Sequence, residues 1–187
     1  RVATITFDVS VKDYIEALEA DVPRAGELDR MGMLVDPGQP QVVAIASAIM
    51  SMESDAKPRI NSALKFVQSL SYVDDFTAHG LEERWSLPAE TLYSMGGDCE
   101  DLAFLFVSIV RAMGYDAVLV SVPGHLAAAV SAGGLSGDRY VFEGVEYYYC
   151  ETSARGVTGL NLQGFKGNVG DRSEERRVGK ECRSRWS

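Results

Sequence analysis

Three residues in the second half of the chain have side chains that could share one reaction: Cys99, His125 and Glu151. A thiol nucleophile needs a base to take its proton, and the base needs a third group to orient its ring. Cys99 falls at the first turn of a long apolar run, where backbone N–H groups and the helix macrodipole favour a thiolate and can hold an anionic oxygen. The chain has two histidines. His125 opens a strand-like run directly after Pro123-Gly124, so its imidazole can project from a sheet end. His79 lies in an acidic, irregular stretch and reads as an exposed loop residue. Glu151, near the end of the last strand-like run, is the best-placed acid, and across an antiparallel sheet it can neighbour His125. Taken singly these residues are ordinary, since a lone buried cysteine usually serves packing. Cys150 alternates with Glu151, faces the other side of its strand, and reads as packing.

The elements that must position these groups follow from periodicity. Ala3–Val9 alternates like a strand, and Val11–Ala20 reads as a short helix opened by Ser10. Asp21–Gln41 is punctuated by Pro23, Pro37 and Pro40 and reads as an irregular connection. Gln41–Met52 is an apolar helix. Ile60, Ala63, Leu64, Val67 and Leu70 then mark an amphipathic one. Tyr72–Leu87 is acidic and irregular, and Pro88 starts a helical turn. Cys99–Met113 is apolar on almost every side, the pattern of a buried central helix; Asp98 suits its N-cap, Asp101 resembles half of a capping box, and Gly114 suits its C′ position. Asp116–Val122 and His125–Ser131 read as a hairpin, as do Tyr140–Phe142 and Val145–Thr152 around Glu143-Gly144. Helices, one buried helix, then an antiparallel sheet predict an α+β domain.

Of the 187 residues, 46% are apolar, which fits one globular domain and excludes a disordered chain. No apolar run approaches the ~20 residues of a membrane-spanning helix. Residues 172–187 (RSEERRVGKECRSRWS) resemble the in-frame translation of a short-read sequencing adapter and are set aside as a non-native tail. Without them twelve basic and twenty-four acidic residues remain, so the net charge of −9 becomes −12. That balance argues against nucleic acid or an anionic membrane as partner. With Cys182 removed, Cys99 and Cys150 make no disulfide framework. The chain begins at Arg1 without a methionine, so its N-terminus is expected to be cut and its compartment is left open.

Gly97-Asp98-Cys99-Glu100-Asp101, Pro123-Gly124-His125 and Tyr147-Tyr148-Tyr149-Cys150-Glu151-Thr152 together resemble the transglutaminase-like cysteine peptidase superfamily. Phe66-Val67-Gln68 and Pro88-Ala89-Glu90-Thr91-Leu92 are similar to its prokaryotic members, and the likeness covers roughly Asn61–Ala154. The resemblance implies a papain-like core with Cys99, His125 and Glu151 as a Cys-His-acid triad acting on a protein or peptide substrate. Many members have Asp at the third position, where this chain has Glu151. It divides the chain into an N-terminal part (1–58), a transglutaminase-like core (59–171) and the tail (172–187). The Cys99 N–H is one expected oxyanion donor, with Gln68 and Trp85 as candidates for the second. Related periplasmic cysteine proteases suggest a calcium ion beside the nucleophile, which Asp98, Glu100 and Asp101 could ligate with hard oxygens; capping and dipole compensation also suffice for Asp98 and Asp101. The expected activity is thiol-dependent hydrolysis or acyl transfer at amide bonds, with no cofactor required. The alternative is an inactive superfamily member that serves as a binding module.

Overall fold

Residues 4–26 and 28–153 are described by the structure, a computed structural model. The stretch 154–187, with the adapter-like tail, lies outside the described residues. Of the expected strand Ala3–Val9, the described residues 4–9 form no strand and belong to no sheet among the described residues. Their alternation is nonetheless real. Ile5, Phe7 and Val9 pack against the core while the residues between them are exposed, and Phe7 meets Phe66 edge-on at 5.7 Å. A period of two reports a two-sided environment, and a sheet ladder needs a partner as well.

Helix α1 (Val11–Glu19) starts at a capping box in which Ser10 Oγ accepts from Asp13 N–H and Asp13 accepts from Ser10 N–H. The connection read as irregular contains a 3-10 helix, Leu28–Leu34, which buries Met31 and Leu34. Helix α2 (Pro40–Met52) has proline in its first turn, where the missing N–H is harmless, and Gln39 caps Val42 N–H. Helix α3 (Ala56–Gln68) buries the stripe Ile60, Ala63, Leu64 and Val67. After it come β1 (Ser71–Tyr72), α4 (Asp75–His79), α5 (Pro88–Ser94) and β2 (Gly96–Gly97). The chain then enters α6 (Cys99–Ala112) and four strands, β3 (Asp116–Val122), β4 (His125–Ser131), β5 (Arg139–Phe142) and β6 (Val145–Cys150).

The fold is α+β. The strands form an antiparallel sheet ordered β3-β4-β6-β5, and β1 and β2 form a separate parallel pair. Helix α6 is its centre: every residue from Leu102 to Val110 is buried, between α2 and α3 on one side and β3 and β4 on the other. Each fully buried Leu, Ile or Phe there contributes about 1.5–3 kcal/mol of transfer free energy. Ile45 and Ile49 share one hydrophobic cluster with Leu64, Phe106, Leu119 and Val130, so side chains from both sides of 58/59 pack together. Pro123-Gly124 closes β3 on β4 with Gly124 at φ +71°, and Glu143-Gly144 closes β5 on β6 with both residues at positive φ. Among the described residues no helix is long and apolar enough to cross a membrane.

Candidate active site

The short β1–β2 pair aims the start of α6. A Cβ on Gly96 would lie 2.6 Å from the Ser71 carbonyl oxygen, and one on Gly97 would lie 2.6 Å from Asp101 Cβ. Glycine is required at both places by close approach. Asp98 then caps α6 by accepting from Glu100 and Asp101 N–H, and Cys99 is the first helical residue, 3% exposed.

Cys99 Sγ lies between α6 and the start of β4. It donates its proton to Glu100 Oε2 at 2.9 Å, and the backbone N–H of Leu126 turns its positive end toward it. Leu126 follows His125 directly, so the sulfur meets the chain one residue after the histidine. His125 Nε2 lies 3.0 and 2.9 Å from the two carboxylate oxygens of Glu151. A carboxylate only accepts, so this contact places the ring proton on Nε2.

Glu151 is held firmly. Tyr149 Oη donates to its Oε2 at 2.8 Å, and Ser153 donates to Oε1 through N–H at 3.0 Å and Oγ at 3.1 Å. Gln68 Nε2 donates to the Glu151 carbonyl at 2.8 Å, bridging α3 to the end of β6. Tyr149, Glu151 and Ser153 are spaced two residues apart, so the alternation of a strand was the signal that could have found the two supporting side chains. Cys150 is fully buried in the core cluster.

Electrostatics at Cys99 differ from the expectation of a helix-stabilised thiolate. Burial pushes the thiol up, and the Glu100 carboxylate pushes it further; the Leu126 N–H acts the other way without reversing the result. In this arrangement the sulfur keeps its proton at neutral pH.

Of the two upstream candidates for the oxyanion site, Gln68 has one amide N–H and Trp85 its single indole N–H committed to other acceptors. Gln68 spends its amide on Glu151, and Trp85 is 1% exposed, edge-on to Phe104, with its indole N–H donated to Glu83 Oε1 at 2.6 Å. The segment carrying Trp85 is pinned by its own backbone: Arg84 N–H to Asp75, Trp85 N–H to the Arg24 carbonyl, and Ser86 N–H to Asp101. Buried Glu90 pairs with both Arg24 and Arg84, which ties the N-terminal part to the core. His79 is exposed at the end of α4 beside Arg84, away from this triad's hydrogen bonds.

The acidic group gathers differently from its spacing in sequence. Asp75, Asp98 and Asp101 each bring a carboxylate oxygen within 4.8 Å of the others, whereas Glu100 turns to the thiol. Asp75, on the short α4, has no proximity in sequence that would reveal it. Burial and the neighbouring carboxylates raise Asp98 to about 9, and burial raises Asp101 to about 7. Three buried carboxylates so close need protons or a cation, and their hard oxygens suit calcium. Asp75, Asp98 and Asp101 are the residues that would hold such an ion; it would supply positive charge at the start of α6. No protein-family model matches the chain, and no curated protein matches it.

Proposed function

We propose that the protein is a thiol enzyme of the transglutaminase-like type, cleaving or exchanging amide bonds of a protein or peptide through a thioester on Cys99. The observation that carries this reading is the contact of His125 with Glu151 beside the buried sulfur of Cys99. In the reaction, Cys99 Sγ adds to the carbonyl carbon as His125 Nδ1 takes the thiol proton. His125 returns that proton to the departing amine as the C–N bond breaks, leaving the thioester. Water then attacks the thioester to release a carboxylate, or a second amine attacks to form a new amide; His125 accepts the attacking group's proton and returns it to the sulfur. Glu151 keeps the ring in the tautomer this shuttle needs and stabilises the imidazolium.

The Cys99–Glu100 bond favours a second reading, a binding module whose thiol stays inert. Intact-mass analysis after exposure to a p-nitrophenyl ester separates the two. A thiol enzyme forms an acyl adduct on Cys99 that His125→Ala slows severely and Cys99→Ser lacks; release by water or by added amine then distinguishes hydrolysis from transfer. A binding module forms no adduct on Cys99, or one indifferent to His125.

A further inference from the structure

We propose that Tyr149 is a positioning residue whose hydroxyl fixes the Glu151 carboxylate on His125 and so sets the pH at which that imidazole takes a proton. The proposal rests on the thiol-enzyme reading, in which His125 is the base. Tyr149 is 1% exposed, and a buried phenol requires a partner. It finds one in a carboxylate oxygen that also faces His125: Glu151 Oε2 lies 2.8 Å from Tyr149 Oη and 2.9 Å from Nε2. On the other side Ser153 holds Oε1, and Gln68 grips the backbone carbonyl of the same residue. The carboxylate is therefore fixed at both oxygens and at its own peptide.

The Tyr149 hydroxyl turns the positive end of its dipole toward the carboxylate that faces His125 and offsets part of that negative charge. Glu151 is met by Tyr149 and Ser153 from β6 and its end and by neutral Gln68 from α3, while Cys99 with Glu100 lies on α6 against Leu126, the residue after His125. With Ser153 and Gln68 still holding Glu151 beside the ring, removing the Tyr149 hydroxyl leaves more negative charge facing the imidazole, which then holds its proton to higher pH.

The test is an NMR titration of the histidine ring nitrogens in the whole chain, over roughly pH 5–9, for wild type and Tyr149→Phe. His79, the other histidine, is the internal control. The expected result is a His125 midpoint raised by about half a unit or more, with His79 unmoved. Ser153→Ala, which removes one donor to the other oxygen, shifts His125 in the same direction by less and carries the test if Tyr149→Phe fails to fold. An unchanged His125 midpoint in the folded variants overturns the proposal, even if they melt earlier, because Tyr149 then only fills space. The titration needs no substrate. A shift in a protein that forms no acyl adduct keeps Tyr149 in its positioning role and removes the enzyme reading instead.

Discussion

Gly97 and Asp101 approach so closely that no side chain fits between them: a Cβ on Gly97 would lie 2.6 Å from Asp101 Cβ and 2.7 Å from its Oδ2. Asp101 cannot retreat freely, because its Oδ1 accepts from Ser86 N–H at 2.7 Å and so pins the segment carrying Trp85. Gly97→Ala is expected to lose about 1–3 kcal/mol of stability through this overpacking. Gly133→Ala, where a Cβ meets nothing within 4 Å, should stay within about 0.5 kcal/mol of wild type. Urea unfolding of both variants checks the pair; equal stabilities would contradict the close approach.

The buried carboxylates predict a falling stability on the alkaline side. Asp98 has its folded-state value raised from 3.8 to about 9, so between those limits the folded chain keeps a proton that the unfolded chain has released. Stability from this group is greatest below about pH 4 and is lost as pH rises toward about 9. Asp98→Asn keeps an N-cap and removes the charge, so its thermal midpoint should exceed that of wild type by several degrees at pH 8.5, with a smaller gap at pH 5. A wild-type midpoint flat from pH 5 to 9 would contradict the assignment.

A cation is the other way to offset the same charge. Calcium at pH 8.5 is expected to raise the wild-type thermal midpoint. Asp75→Asn should abolish that rise and Glu100→Ala should keep it, since Asp75 and not Glu100 shares the cluster with Asp98 and Asp101. The reverse order of effects would restore the ligand set read from spacing, and no rise in wild type would leave protons as the compensation.

Glu100 is expected to hold the nucleophile back. Its carboxylate accepts the Cys99 proton at 2.9 Å and adds to the burial that keeps the thiol protonated. Glu100→Gln should therefore speed alkylation of Cys99 at pH 7.5 severalfold, while Cys150, fully buried in the core, stays unreactive in both proteins. An unchanged Cys99 rate would show that burial alone governs the thiol.

Much of this fold was legible in the residues, and the exceptions share a physical cause. Helix α6 announced itself because an all-apolar run has nowhere to go but the core, and both hairpins were marked by Pro123-Gly124 and Glu143-Gly144. The proximity of His125 and Glu151 followed from antiparallel pairing. The two-residue pair β1–β2 and the short α4 escaped because such elements are too brief to carry a period and are defined by partners distant in the chain. The same holds for Asp75, which joins Asp98 and Asp101 only through the fold. Gln68 and Trp85 could be named as donors, but the direction of an N–H depends on acceptors at Glu151 and Glu83 that spacing does not reveal. The thiol's protonation ran against expectation because helix-end electrostatics were legible and burial beside Glu100 was not.

The central claim, that Cys99, His125 and Glu151 act as one unit, is tested most directly by the pH profile of Cys99 alkylation by iodoacetamide, followed by peptide mass spectrometry in wild type, His125→Ala and Glu151→Ala. General-base assistance predicts a wild-type rate that climbs with deprotonation of His125 and then levels off. At pH 7.5 His125→Ala should fall by about tenfold or more, and Glu151→Ala by less. A rate that climbs only in strongly alkaline solution and is the same in all three proteins would contradict the account.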